Sequence, residues 1–78
     1  MTIAFTLHAL ERMKARGIDR AEVVSCITNP DKIEKLDETF RAVKKTDNKV
    51  LIVLYRKENM NMVIITAYSS SKVHKYLG

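Results

Sequence analysis

One cysteine and two glycines among 78 residues each close off a class of function. A lone Cys26 forbids an internal disulfide and fits a reduced compartment. So little glycine leaves no glycine-rich loop to cradle a phosphate, and cysteine and histidine never fall at zinc-ligand spacing. A histidine–carboxylate–nucleophile order is also missing. No run approaches the roughly 18 consecutive apolar residues of a membrane span, and the N-terminus lacks the basic-then-apolar order of a secretion signal. The expected location is the cytoplasm, without membrane contact.

What remains is a basic chain of ordinary globular composition. Fourteen Lys and Arg against nine acids leave a formal charge of +5, which favours a polyanion, most simply nucleic acid. Residues 1–78 make a single domain, too small for a second core or a spacious cofactor cavity, so the chemistry belongs on the surface or in a shallow cleft. The reading calls for no metal and no other cofactor.

The segment FTLHALERMKARGI, Phe5 to Ile18, combines a helix start, an apolar stripe, a basic stripe and a helix stop. Thr6 is the N-cap, Leu7, Leu10 and Met13 recur at three-residue spacing, and Gly17 ends the helix. His8, Arg12 and Arg16 stand at i, i+4 and i+8, lining one face that can meet an anion. Asp19 caps a second helix with Glu22 at N3, and Asn29-Pro30 stops it after Thr28.

From Lys32 the apolar period changes to two. Lys32 to Leu36 and Thr39 to Lys45 read as strands, Lys49 to Arg56 as a central strand, Asn61 to Ser69 as the last. Thr2 to Phe5 is a short edge strand or a lead-in, and the tail beyond Ser70 is one turn of helix or frayed. The expected fold class is α+β, with two N-terminal helices packed on one face of a three- to four-stranded antiparallel sheet. With two-residue turns at Asp47-Asn48 and Glu58-Asn59, Arg41, Val43, Lys45, Ile52, Leu54, Arg56, Val63, Ile65 and Ala67 share an outer face. Phe40, Ala42, Leu51, Val53, Tyr55, Ile64, Thr66 and Tyr68 then lie under the helices.

The candidate chemistry follows from residue type. His8 can transfer a proton near neutral pH, while the Arg12 and Arg16 guanidinium forks suit a phosphodiester and its transition state. Tyr68 can bond a phosphate oxygen or a leaving group, or stack a base. Arg41, Lys45 and Arg56, at alternate strand positions, form a stripe that a nucleic-acid backbone can follow. Thr66 joins Tyr68 at the end of the last strand. Each has a plainer role as solvated surface or satisfied core, and Cys26 reads as inert core.

The string H-A-x-x-R-M-x-x-R-G-I at His8 to Ile18, the capped helix ending in Asn29-Pro30, and the strands LIVLYRKE and VIITAYSS together resemble a family of small proteins known mainly as a domain of unknown function. That family is similar to the BrnT and RelE ribonuclease toxins. The resemblance covers nearly the whole chain and implies a RelE/BrnT-like fold and metal-independent cleavage of RNA by its own 2′-hydroxyl. By the same resemblance His8 matches the first-helix histidine, Arg12 or Arg16 its basic companion, Arg41 or Arg56 the sheet arginine, and Tyr68 the last-strand hydroxyl residue. The expectation is an endoribonuclease with His8, Arg12 and Tyr68 catalytic and Arg16, Arg41, Lys45, Arg56 and Thr66 binding RNA, free or ribosome-bound. A cognate antitoxin would hold it in check, and the chain itself would be a monomer or homodimer. The alternatives are a non-catalytic nucleic-acid-binding module and a protein-interaction domain of a toxin–antitoxin-like pair.

Overall fold

The computed structural model describes residues 2–78. Its elements run β1 (Thr2–Phe5), α1 (Leu7–Arg16), α2 (Arg20–Thr28), β2 (Lys32–Leu36), β3 (Thr39–Thr46), β4 (Lys49–Glu58), β5 (Asn61–Ser70) and α3 (Val73–Leu77). The strands form one sheet in the order β1-β5-β4-β3-β2, with β1 parallel to β5 and every other pairing antiparallel.

This overturns the expected two helices on one face of a three- to four-stranded antiparallel sheet. The sheet has five strands and is mixed, and a third helix packs on its other face. The parallel pairing continues into the start of α1, which follows β1 immediately. Thr6 donates both its backbone N–H and its Oγ1 to Ile64 O, at 3.3 and 3.1 Å, pinning the start of the helix beside β5.

Local signals account for the helices. Thr6 Oγ1 accepts from Ala9 N at 3.0 Å, and Gly17 ends α1 in the left-handed region at φ 67°, where a Cβ would be strained. Asp19 and Glu22 close a reciprocal capping box on α2. The three hairpins turn through two residues each, and Asp37, Asp47 and Asn59 take the left-handed first position. The last turn is therefore Asn59-Met60, one residue later than expected.

Against one face of the sheet, Ala9 and Met13 of α1, with Ile18 beyond its end, join Val23, Cys26 and Ile27 of α2 on Ala42, Leu51, Val53, Tyr55, Met62, Ile64 and Ala67. On the other face α3 lays Val73, Tyr76 and Leu77 over Val43, Val50, Ile52 and Tyr68.

The strand faces are set by one irregularity. Tyr55 pairs with Ile64, but Leu54 pairs with Thr66, so Ile65 is an extra residue in β5. Alternation counted through Ile65 is wrong on its far side. Thr66 and Tyr68, expected under α1 and α2, face α3 beside Leu54 and Ile52, while Ala67, expected outside, is fully buried opposite Val53. Among the described residues no helix is long and apolar enough to cross a membrane.

Candidate functional site

The site lies just past the bulge. β1 accompanies β5 only from Asn61 to Ile64, so among the described residues the edge of β5 beyond that point has no strand neighbour on the α1 side. Arg16, at the end of α1, reaches across this edge. Its Nη1 donates to Ala67 O at 2.9 Å and to Thr66 Oγ1 at 3.4 Å, and its guanidinium carbon lies 6.0 Å from the centre of the Tyr68 ring. One strand of the sheet thereby hands an α1 cation to the α3 face.

Tyr68 meets Tyr76 of α3 edge-on, with ring centres 6.5 Å apart at 68°. From β3, the Arg41 guanidinium carbon stands 5.7 Å from the Tyr76 ring centre. Arg41 Nη2 is held by Glu34 Oε1 of β2 at 2.8 Å, while its Nε is buried without a hydrogen-bond partner. Two phenols are thus flanked by two guanidinium groups, one from the rim and one from the sheet.

Electrostatics give these groups distinct states. Burial raises the Tyr68 pKa above 10 and the nearby Tyr76 phenol adds to this, while Arg41 and Arg16 pull part of it back. Tyr68 is therefore a neutral hydrogen-bond donor around neutral pH. The Arg41 hydrogen bond holds Glu34 below its ordinary carboxylate value, and Glu34 in turn raises Arg41.

The expected site residues divide. Arg16, Arg41, Thr66 and Tyr68 come together. His8 and Arg12 are exposed on α1, and neither side chain makes a hydrogen bond or ion pair among the described residues. The eight-residue separation of His8 from Arg16 places their Cα atoms about 12 Å apart along the helix. Arg56 shares the face of Arg41 but sits toward the opposite end from Tyr68, bonded through Nε to Glu58. Lys45 lies exposed near the end of β3, its backbone N–H donated to Asp31 Oδ2 at 2.7 Å. Sequence reasoning passed over Tyr76 and Glu34. Tyr76 was signalled only by its spacing from Val73 and Leu77, and Glu34 only by facing Arg41 across two strands.

The cluster is an open surface. A concavity of about 290 Å³ lies elsewhere, between α2 and the β3–β4 hairpin, lined by residues including Glu22, Ser25, Lys44 and Leu51, and it touches none of the candidate groups. Among the described residues no three His, Cys, Asp or Glu side chains converge as metal ligands would. Cys26 is buried, with Sγ 3.5 Å from Ala42 O and 3.6 Å from Leu51 O, and burial pushes its thiol up to about 11.

Comparison with known proteins yields no match among curated proteins and none among solved structures. A family match does span residues 5–69, from the strand end before α1 through the bulge to the last residue but one of β5, and the chain belongs to the family described as Domain of unknown function (DUF4258).

Proposed function

We propose that this domain binds single-stranded RNA across the rim of α1 and the α3 face, and cleaves it without a metal through the RNA's own 2′-hydroxyl. The observation that carries the reading is the convergence of Arg16 and Arg41 on the Tyr68–Tyr76 pair. Cleavage of this kind forms a 2′-oxygen–phosphorus bond and breaks the bond to the 5′-oxygen, leaving a 2′,3′-cyclic phosphate and a 5′-hydroxyl. It needs an acceptor for the 2′-hydroxyl proton, here solvent water, which also returns a proton to Tyr68, together with charge stabilisation and a proton for the leaving oxygen, but no protein nucleophile. Among the described residues Arg16 has Nε and Nη2 without a hydrogen-bond partner, and with Arg41 it would hold the non-bridging oxygens. Tyr68, kept protonated, would donate to the departing 5′-oxygen. His8 and Arg12, further up α1, would grip neighbouring nucleotides, as would Lys45 and Arg56 at the ends of the sheet. Kinship with BrnT and RelE toxins, action on ribosome-bound RNA and restraint by a cognate antitoxin belong to the same proposal.

The test is incubation of the purified protein with single-stranded RNA in excess chelator, alongside ribosome-bound RNA. Arg16→Ala and Tyr68→Phe should each slow cleavage by about a hundredfold, and His8→Ala by less. Cleavage that disappears with chelator, or that both site variants retain in full, ends the mechanism.

A non-catalytic RNA-binding role is the second reading, favoured by the fact that Arg16 and Arg41 are already engaged by Ala67 O and Glu34, so that the one carboxylate beside the cluster is itself tied to an arginine. It predicts salt-dependent binding without cleavage, with Arg41→Ala reducing the salt slope by about one.

A further inference from the structure

β2 closes the sheet on one side: β3 pairs with one of its edges, and among the described residues no strand pairs with the other. Such an edge is a template for another strand. It also carries exposed apolar surface, with Ile33 48% and Leu36 40% accessible.

The residues around Ile33 read Asp31-Lys32-Ile33-Glu34-Lys35, in which every acid on one side is matched by a lysine at the same distance on the other. We infer that β2 pairs antiparallel with β2 of a second copy of this chain, joining two five-stranded sheets into one of ten strands. A two-fold axis normal to the sheet and passing at Ile33 sets Ile33 against Ile33, Lys32 against Glu34, and Asp31 against Lys35, each charge pair occurring twice. Moving the axis to Glu34 sets that carboxylate against itself and Ile33 against Lys35, so the charges select one register. This self-complementarity is what names a second copy, rather than a foreign strand, as the partner.

Existing contacts leave the needed atoms free. Asp31 uses Oδ2 for Lys45 N and Glu34 uses Oε1 for Arg41, leaving the other carboxylate oxygens available. Lys35 makes no ion pair among the described residues, and Lys32 is held only loosely by Glu34 at 3.8 Å. Pro30 lies just outside the five residues and removes no donor from the new ladder. The two α3 faces end on the same side of the joined sheet. None of this depends on the RNA reading.

Sedimentation velocity on the whole chain from about 10 µM to about 1 mM, the range suited to a small interface, should show a reversible monomer–dimer equilibrium. Lys35→Glu sets acid against Asp31 twice, and Asp31→Lys sets lysine against Lys35 twice; each should weaken the dimer at least about tenfold. An equimolar mixture of the two variants should dimerise again, because the mixed pair sets an acid against a lysine at both positions. A folding defect cannot be rescued by mixing. The proposal is overturned if the natural chain stays monomeric throughout, if Lys35→Glu and Ile33→Lys both leave the dimer intact, or if the mixture of folded variants remains monomeric.

Discussion

The two faces of the sheet solve the same problem with different materials. Under α1 and α2 the sheet meets aliphatic side chains and Cys26, and residues such as Val53, Ile64 and Ala67 are wholly shielded. Under α3 only Val43, Val50 and Ile52 are buried, because a five-residue helix is too short to roof five strands. The uncovered part is tiled by two phenols and by arginine stems, which shed water along their carbon chains while keeping their polar ends accessible. The buried core and the proposed binding surface are therefore separated by the thickness of a sheet. The well-roofed face holds the fold, and the thinly roofed face can spare its surface for a ligand.

Substitutions on opposite faces should expose this difference most visibly. Ile64→Ala should cost about 2–5 kcal/mol in urea unfolding, whereas Tyr76→Ala, from a half-buried position, should cost about 1–2 kcal/mol. RNA affinity should follow the reverse order, falling for Tyr76→Ala and holding for the folded fraction of Ile64→Ala. Equal stability losses would show that α3 roofs its face as fully as the other two helices.

A pH titration sharpens the contrast from the buried side. Burial raises Cys26 from its ordinary 9.0 to about 11, so the folded state favours the protonated thiol. The resulting stabilisation is complete below pH 9 and fades as pH climbs toward 11. Cys26→Ala should remove this part of the alkaline decline, measured as the difference between the two proteins because Tyr55 and Tyr68 also titrate high. A decline identical in both would mean that the thiol is better solvated than its position implies.

On the thin face the charges, not the packing, are adjustable. Glu34→Gln releases Arg41 from its carboxylate partner and should raise RNA affinity about two- to fivefold at moderate salt, with little change in unfolding. No gain would remove Arg41 from the binding surface. The smallest effect belongs to a residue on neither face. Asn59 holds a left-handed turn at φ 57°, and Asn59→Gly should add no more than about 0.5 kcal/mol, a rise of about 2 °C in melting temperature, without touching RNA affinity.

What the sequence shows by itself is what short-range physics controls. Thr6, Gly17, Asp19 and Glu22 each act within three or four residues of their partners, and both helix boundaries can be read from them. The pairing of Thr2–Phe5 with Asn61–Ile64 joins segments almost sixty residues apart, and four residues carry no pattern that distinguishes a parallel edge from a lead-in. The face assigned to Tyr68 failed for a related reason: no residue type marks Ile65 as unpaired, since its neighbours continue an apolar run. Arg41 and Tyr68 stood out by chemistry, but the route from Arg16 to Tyr68 passes through a backbone carbonyl, to which side-chain periodicity is blind.

Ile65 can be regarded as a frameshift in a code with only two symbols, up and down. Upstream of it even-numbered residues such as Met62 and Ile64 point into the main core; downstream the odd-numbered Ala67 does. What survives the shift is the match to β4, since Tyr68 sits opposite Ile52 whatever the count from the start of β5. Removing Ile65 would merge the two frames into one and still leave Tyr68 beside Ile52. The phenol's address is written in its neighbouring strand, and the inserted letter only decides how its own strand must be read to find it.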